Sequence, residues 1–107
     1  MNLFEIYISY ISWGSGGKLR PVLVFSLENG VASVYSVTSQ YANKSEAIRK
    51  KFFKIDDWAA AGLDAQSYVD TISYFDIPVS FLQNKTPIGQ LTESDKIRLK
   101  DFLSKKE

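Results

Sequence analysis

The sequence contains neither cysteine nor histidine. Without cysteine the chain cannot form disulfides, thiolate metal sites or a thiol nucleophile. Without histidine it lacks the commonest general base and the commonest metal ligand of proteins. Catalysis by a thiol or an imidazole is therefore excluded, and no cofactor is expected.

Long apolar runs are also missing. No run approaches the roughly 18 residues that a membrane-spanning helix needs. The first residues do not show a basic region followed by an apolar core, as a signal peptide would. We therefore expect a cytoplasmic protein without a membrane partner. Its 107 residues, 45% hydrophobic and 23% charged, fit a single globular domain over residues 1–107.

The net charge of +1 is small but unevenly distributed. Residues 1–55 hold seven cations and three anions, a balance of +4, whereas residues 56–107 hold six cations and nine anions, a balance of −3. The two halves are therefore expected to face different neighbours. Residues 56–76 contain five aspartates and no cation, but their spacing fits no metal-binding loop, so we interpret them as a solvated face or a surface for a basic partner.

Hydrophobic patterning predicts a mainly β chain. Alternating residues predict a half-buried strand over 3–11, with Phe4, Ile6, Ile8 and Tyr10 on one side, and residues 12–19 form a glycine-rich loop. The unbroken apolar run at 22–25 predicts a strand buried on both faces. Asn29-Gly30 predicts a tight hairpin leading into a strand at 31–38. Further strands are predicted at 47–55 and 67–75, with a short extended piece at 77–81.

Helix signals are fewer. Residues 56–63 suggest one or two helical turns that stop at Gly62, and one long helix begins at the N-cap Thr92 with Glu93 and Asp95 in its first turn. Together the elements predict a mainly β (α+β) fold: a small, curled antiparallel barrel with a short helix and a C-terminal helix.

Arg20 and Thr38 form the first candidate site. If the strands pair through Asn29-Gly30, these two residues fall at the same end of the sheet. Pro21 holds Arg20 in an extended conformation. A guanidinium offers bidentate donors to phosphate oxygens and a hydroxyl adds a neutral hydrogen bond, so the pair would suit a phosphodiester. The alternative is that Arg20 is a solvated surface cation.

Residues 44–54 form the second candidate site, because they hold five cations and one anion beside Tyr41. This pattern is typical of a surface that follows phosphates and stacks a base on an aromatic ring. The alternative is an edge strand protected from aggregation by its lysines.

Several of these stretches resemble the PemK/MazF family of toxin endoribonucleases. The matching residues are 18–26 (KLRPVLVFS), Val37-Thr38-Ser39, Gly62-Leu63 before Ser67-Tyr68-Val69, and 88–91 (IGQL), in order over almost the whole chain. The resemblance implies an SH3-like barrel that forms a homodimer, with single-stranded RNA in a groove at the dimer interface. It also implies metal-independent cleavage in which the 2′-hydroxyl attacks the adjacent phosphorus, leaving a cyclic phosphate and a 5′-hydroxyl. A cognate antitoxin protein would cover the basic groove with an acidic, disordered segment.

The resemblance also implies roles for individual residues. Arg20 would stabilise the phosphorane charge, and Thr38 would hold the scissile phosphate. The implied substrate-binding residues are Lys18, Ser39, Gln40, Tyr41, Lys44 and Lys50. The family's usual Gly-Asp pair before the first strand is missing, and residues 14–19 hold no carboxylate, so the general base is unidentified. The alternatives are a non-catalytic RNA- or protein-binding module of the same fold and a relative of the toxins that RNA antitoxins regulate.

Overall fold

The computed structural model describes residues 1–105, apart from the side chain of Trp13. Over those residues six strands form one antiparallel sheet with two α-helices. The strands are β1 (Glu5–Trp13), β2 (Gly16–Glu28), β3 (Val31–Thr38), β4 (Phe52–Lys54), β5 (Tyr68–Pro78) and β6 (Gly89–Gln90), and the helices are α1 (Glu46–Arg49) and α2 (Glu93–Ser104). The sheet order β4-β5-β3-β2-β1-β6 forms a curled half-barrel, which confirms the predicted fold class. No helix within residues 1–105 has the length and apolar character to cross a bilayer.

The central strand β2 is buried on both faces, as its apolar run predicted. Val22, Leu23 and Val24 are fully buried. Leu23 belongs to a core that includes Leu99 of α2, whereas Val22 and Val24 belong to a second core closed by Leu82. The sheet therefore has two packed faces, which are called here the α2 face and the Leu82 face.

The prediction of a glycine-rich loop at 12–19 is wrong. Trp13 pairs with Gly16 across a tight turn, and the ladder continues through Ile11 and Lys18. Gly14 supplies the positive φ of +43° that such a turn needs. At Gly17 an added Cβ would lie 2.5 Å from the Tyr10 hydroxyl oxygen, so this glycine allows close packing inside the hairpin.

The predicted inward side of β1 is half right. Phe4 and Ile6 are buried, but Ile8 and Tyr10 are 37% and 60% exposed. Tyr7 and Ile11, of opposite parity, are buried against the Leu82 face instead. The alternating pattern could not predict this difference, because both faces of the sheet are buried near its centre. Toward the tip of the first hairpin, side chains on the α2 face are exposed.

The predicted strand at 47–55 is too long. The Ser45 hydroxyl accepts a hydrogen bond from the Ile48 amide (3.3 Å) and starts helix α1, so only Phe52–Lys54 pair as β4. This strand forms one edge of the sheet within residues 1–105.

Among the remaining elements, the predicted cap of α2 is confirmed, whereas the predictions for residues 56–63 and for the segment after Pro78 are corrected. The Thr92 hydroxyl caps α2 by accepting from the Asp95 amide, as predicted. Residues 56–63 form successive turns rather than a regular helix, although Gly62 does take the positive φ (+90°) that ends them. The piece predicted as extended after Pro78 is a 3-10 turn over Val79–Phe81.

Candidate functional site

A large bulge in β5 shapes one face of the sheet. The β3–β5 register shifts between the pairs Val34–Phe75 and Ser36–Asp70, so residues 71–74 of β5 all lie opposite Tyr35. Thr71 anchors the bulge because its hydroxyl donates to the Lys51 carbonyl at 2.6 Å. Bulges of this kind bend a strand and re-aim its side chains.

Two rows of side chains cross the sheet beside this bulge. Ser36 pairs with Val22 of β2 and with Asp70 of β5. Two residues further along, Thr38 pairs with Tyr68, which also pairs with Lys54 of β4. Opposite residues in a sheet point to the same face. Ser36, Thr38, Tyr68 and Asp70 therefore share the Leu82 face.

Arg20 lies where β2 and β3 separate. Within the described chain their pairing ends at Val22 and Ser36, and the Arg20 Nη1 atom donates to the Ser36 hydroxyl oxygen at 3.4 Å. Arg20, Ser36, Asp70 and Ser73 line one cavity of about 230 Å³. A guanidinium, two hydroxyls and a carboxylate thus surround a single space, which we name the Arg20 cavity.

Ser36 and Asp70 are the residues that sequence reasoning missed. Asp70 had been counted among the aspartates of a solvated face, because the bulge that sets its register leaves no local signal. The one signal in the sequence that could have pointed to Ser36 is its position two residues before Thr38, because residues two apart lie on the same face of a strand.

Thr38 lies one row beyond Ser36. Its hydroxyl oxygen accepts a hydrogen bond from the Gln40 amide at 3.0 Å. Among the described residues, Thr38 and Ser39 line a second cavity of about 210 Å³, with Pro21 and Leu63, rather than the Arg20 cavity. That Arg20 and Thr38 together bind one phosphate stays a prediction.

Tyr41 belongs to an aromatic cluster next to Thr38. Its ring stacks on that of Tyr68 with centroids 4.1 Å apart and an interplanar angle of 4°. The Arg49 guanidinium carbon lies 5.7 Å from the Tyr41 centroid. The Lys44 amide donates to the Tyr41 carbonyl at 3.0 Å, so Lys44 and Tyr41 sit on one ordered loop.

The other predicted substrate-binding residues lie on different parts of the surface around the Arg20 cavity and Thr38. Lys18 is exposed, two residues before Arg20 on the same side of β2, or roughly 7 Å along the strand. Gln40 is exposed next to Thr38, and its side-chain oxygen accepts from the Asn43 amide group at 3.5 Å. Lys50 lines a groove beside α2 instead. No group of three or more Asp or Glu side chains within residues 1–105 is placed to hold a metal ion.

Comparison with solved structures is decisive for the fold. The chain superposes on the Mycobacterium tuberculosis toxin MazF-mt6 with a TM-score of 0.69 and 24% identity, covering 94% of this chain and 92% of that one. The chain has the MazF-like fold. This confirms, at the level of fold, the resemblance found in the sequence. No protein-family model matches the chain, and no curated protein matches it in sequence.

Proposed function

We propose that this protein is the toxin of a type II toxin–antitoxin pair, a metal-independent endoribonuclease that cleaves single-stranded RNA in the cytoplasm. The observation that carries the proposal is the Arg20–Ser36 contact (3.4 Å) in a cavity that Asp70 also lines. The MazF-like fold supports it, because the superposed Mycobacterium tuberculosis structure is named as a toxin, MazF-mt6.

The Arg20 cavity offers a base for the attacking hydroxyl and hydrogen-bond donors for the phosphate. The Asp70 carboxylate accepts the proton of the ribose 2′-hydroxyl as that oxygen attacks the adjacent phosphorus. Arg20 donates hydrogen bonds to the non-bridging oxygens, whose negative charge grows in the phosphorane. The bond from phosphorus to the 5′ oxygen then breaks, the leaving oxygen takes a proton from water, and the protonated Asp70 returns its proton to the hydroxide formed. A 2′,3′-cyclic phosphate and a 5′-hydroxyl remain.

The surrounding residues would hold the RNA on either side of the scissile bond. The Tyr41–Tyr68 pair would stack a base, because aromatic platforms bind bases of any sequence. Lys18, Lys44 and Arg49 would neutralise phosphates. Thr38, Ser39 and Gln40, at the end of β3, would hydrogen-bond the backbone next to the cleaved phosphate.

A second copy of the chain completes the proposal. Ile8, Tyr10 and Leu19 are 37%, 60% and 65% exposed, and Tyr10 pairs with Leu19 on the uncovered part of the α2 face. Burying this apolar patch would stabilise a homodimer. We expect Leu19→Glu to sediment as a monomer, and an unchanged dimer mass for this variant would place the dimer interface elsewhere.

The decisive experiment incubates a long single-stranded transcript with the protein in EDTA. We expect fragments ending in cyclic phosphate, no cut at a site whose ribose is replaced by 2′-deoxyribose, and a rate roughly 10²–10³ lower for Arg20→Ala. Lys100→Ala, which changes a cation on α2, serves as the control, and circular dichroism checks that each variant is folded. Intact RNA with the wild-type protein would contradict the proposal, and RNA that is bound but never cut would favour a non-catalytic binding module.

A further inference from the structure

The bulge of β5 begins at a buried threonine that is bound to the neighbouring strand. On the bulge side, the ladder between β4 and β5 ends with the pair Phe52–Asp70, and Thr71 is the next residue of β5. Thr71 is 1% exposed, and both its amide (3.2 Å) and its hydroxyl (2.6 Å) donate to the Lys51 carbonyl oxygen. Two hydrogen bonds to one carbonyl therefore fix the start of the bulge relative to the residue that precedes β4.

The second residue of the bulge holds the Asp70 side chain. The Ile72 amide donates to the Asp70 Oδ1 atom at 3.0 Å. An Asp that binds the amide two residues later forms an Asx turn, which defines the orientation of its carboxylate. Asp70 lines the Arg20 cavity, and its Oδ1 atom is the one that binds the amide. The Oδ2 atom is therefore the oxygen that would accept the proton of a ribose 2′-hydroxyl.

Ser73 shows that the bulge also changes which side chains reach the cavity. Asp70 and Ser73 are three residues apart, and in a regular strand they would point to opposite faces. Both nevertheless line the Arg20 cavity, because the bulge places residues 71–74 opposite the single residue Tyr35. The bulge thus determines the side chains that surround the cavity as well as the orientation of Asp70.

We propose that Thr71 is a positioning residue for the reaction. By binding the Lys51 carbonyl, its hydroxyl holds the bulge so that the Ile72 amide orients the Asp70 carboxylate toward the Arg20 cavity. Thr71 is not in the lining of that cavity, so its hydroxyl acts through Asp70 rather than on the RNA. The inference rests on the proposed function, because this orientation matters through removal of the 2′-hydroxyl proton by Asp70.

Single-turnover cleavage of RNA tests the effect on the reaction. Thr71→Val removes the hydroxyl and keeps the branched shape, and we expect cleavage about ten-fold slower, because a displaced base reacts less readily. Affinity for a 2′-deoxy oligonucleotide should not change. Thr71→Ser keeps the hydroxyl and should cleave as the wild type does. In the Asp70→Asn background, Thr71→Val should slow cleavage no further, because the carboxylate that it orients is gone.

An NMR titration of the isotope-labelled full chain gives a readout that does not depend on activity. Because the Ile72 amide binds the Asp70 carboxylate, its proton signal should shift on acidification in the wild type and in Thr71→Ser. In Thr71→Val this response should be lost. The Asp57 amide, which binds Asp95 of α2 at 2.9 Å, is the internal control, and its signal at neutral pH should be the same in every variant.

Three results would overturn the inference: wild-type cleavage by Thr71→Val, a slowing by Thr71→Val that persists in the Asp70→Asn background, or an Ile72 amide signal that ignores acid in the wild type. The last result needs no variant, so it decides even if Thr71→Val does not fold.

Failure of this inference and failure of the nuclease give different results. Active wild-type protein with an equally active Thr71→Val variant would refute only the positioning role. Uncut RNA, together with an Ile72 amide that responds to acid in the wild type and in Thr71→Ser but not in Thr71→Val, would refute only the nuclease.

Discussion

Ser36 of β3 and Asp70 of β5 are direct partners across the sheet, and the Ser36 hydroxyl also receives a hydrogen bond from Arg20 of β2. Polar groups from three strands thus meet in the Arg20 cavity, and β5 adds the Ser73 hydroxyl to the Asp70 carboxylate. The first hairpin has no carboxylate in residues 14–19, so β5 supplies the candidate base that the hairpin lacks.

Asp70→Asn tests this relationship. If Asp70 removes the proton of the 2′-hydroxyl, the neutral amide should lower the cleavage rate by roughly 10²–10⁴ while RNA affinity changes little. Single-turnover cleavage and anisotropy with a 2′-deoxy oligonucleotide separate the two quantities. Asp76→Asn is the matched control, because Asp76 lies on the same strand, is exposed and accepts from the Ser33 hydroxyl at 2.6 Å. Equal rates for the Asp70 variant and the wild type would assign the base elsewhere.

Tyr41→Ala should weaken RNA binding. The ring stacks on Tyr68, and losing one stacking platform costs roughly 1–3 kcal/mol of binding free energy. Tyr41→Phe keeps the ring and should bind as the wild type does. The dissociation constant for single-stranded RNA is the readout, and a Phe variant as weak as the Ala variant would show that the hydroxyl, not the stack, matters.

Asp95→Ala should destabilise the fold. Asp95 is fully buried and accepts hydrogen bonds from the Asp56 amide (3.3 Å), the Asp57 amide (2.9 Å) and Arg98. Its removal leaves these donors without their acceptor, at a cost of about 3 kcal/mol in the free energy of unfolding. Asp101→Ala breaks an exposed pair and should cost less than about 1 kcal/mol. Urea denaturation measures both, and similar midpoints would contradict the assigned role.

Alkaline pH should destabilise the protein through Tyr7. Burial, followed by the hydrogen bond to Glu5 and the repulsion from its charge, raises the pKa of Tyr7 from 10.0 to about 12. Between pH 10 and about pH 12 the folded state therefore keeps the Tyr7 hydroxyl proton, whereas the unfolded state releases it. Stability from this group is complete below pH 10 and is lost as the pH rises toward 12, by roughly 2 kcal/mol.

Tyr7→Phe should flatten this dependence, and Tyr10→Phe, at an exposed position of the same strand, should not. Unfolding free energies measured across the alkaline range check the prediction. Identical pH profiles for the two variants would show that another group is responsible; Tyr35 is the next to examine, since burial raises its pKa as well.

Local sequence predicted the elements whose signals lie within a few residues. In the apolar run at 22–25, Val22, Leu23 and Val24 are fully buried and Phe25 is half-buried, and Asn29 and Gly30 take φ values of 52° and 78° in the predicted turn. Thr92 caps α2 because its hydroxyl lies within reach of the nearby Asp95 amide. Arg20 was singled out from the sequence as a candidate site residue, and the structure shows its guanidinium in contact with the Ser36 hydroxyl, whereas the joint binding of one phosphate by Arg20 and Thr38 stays a prediction.

The sequence by itself determined the hairpins, the capped helix, the doubly buried strand and the chemical types available to a site without histidine or cysteine, because each depends on neighbours along the chain. Only the tertiary structure decided that Asp70 lies opposite Ser36 and that Phe53 faces away from the Arg20 cavity. Both facts follow from the register of β5, where a bulge shifts the pairing. A shift of one residue exchanges the two faces of a strand, and no local pattern records it.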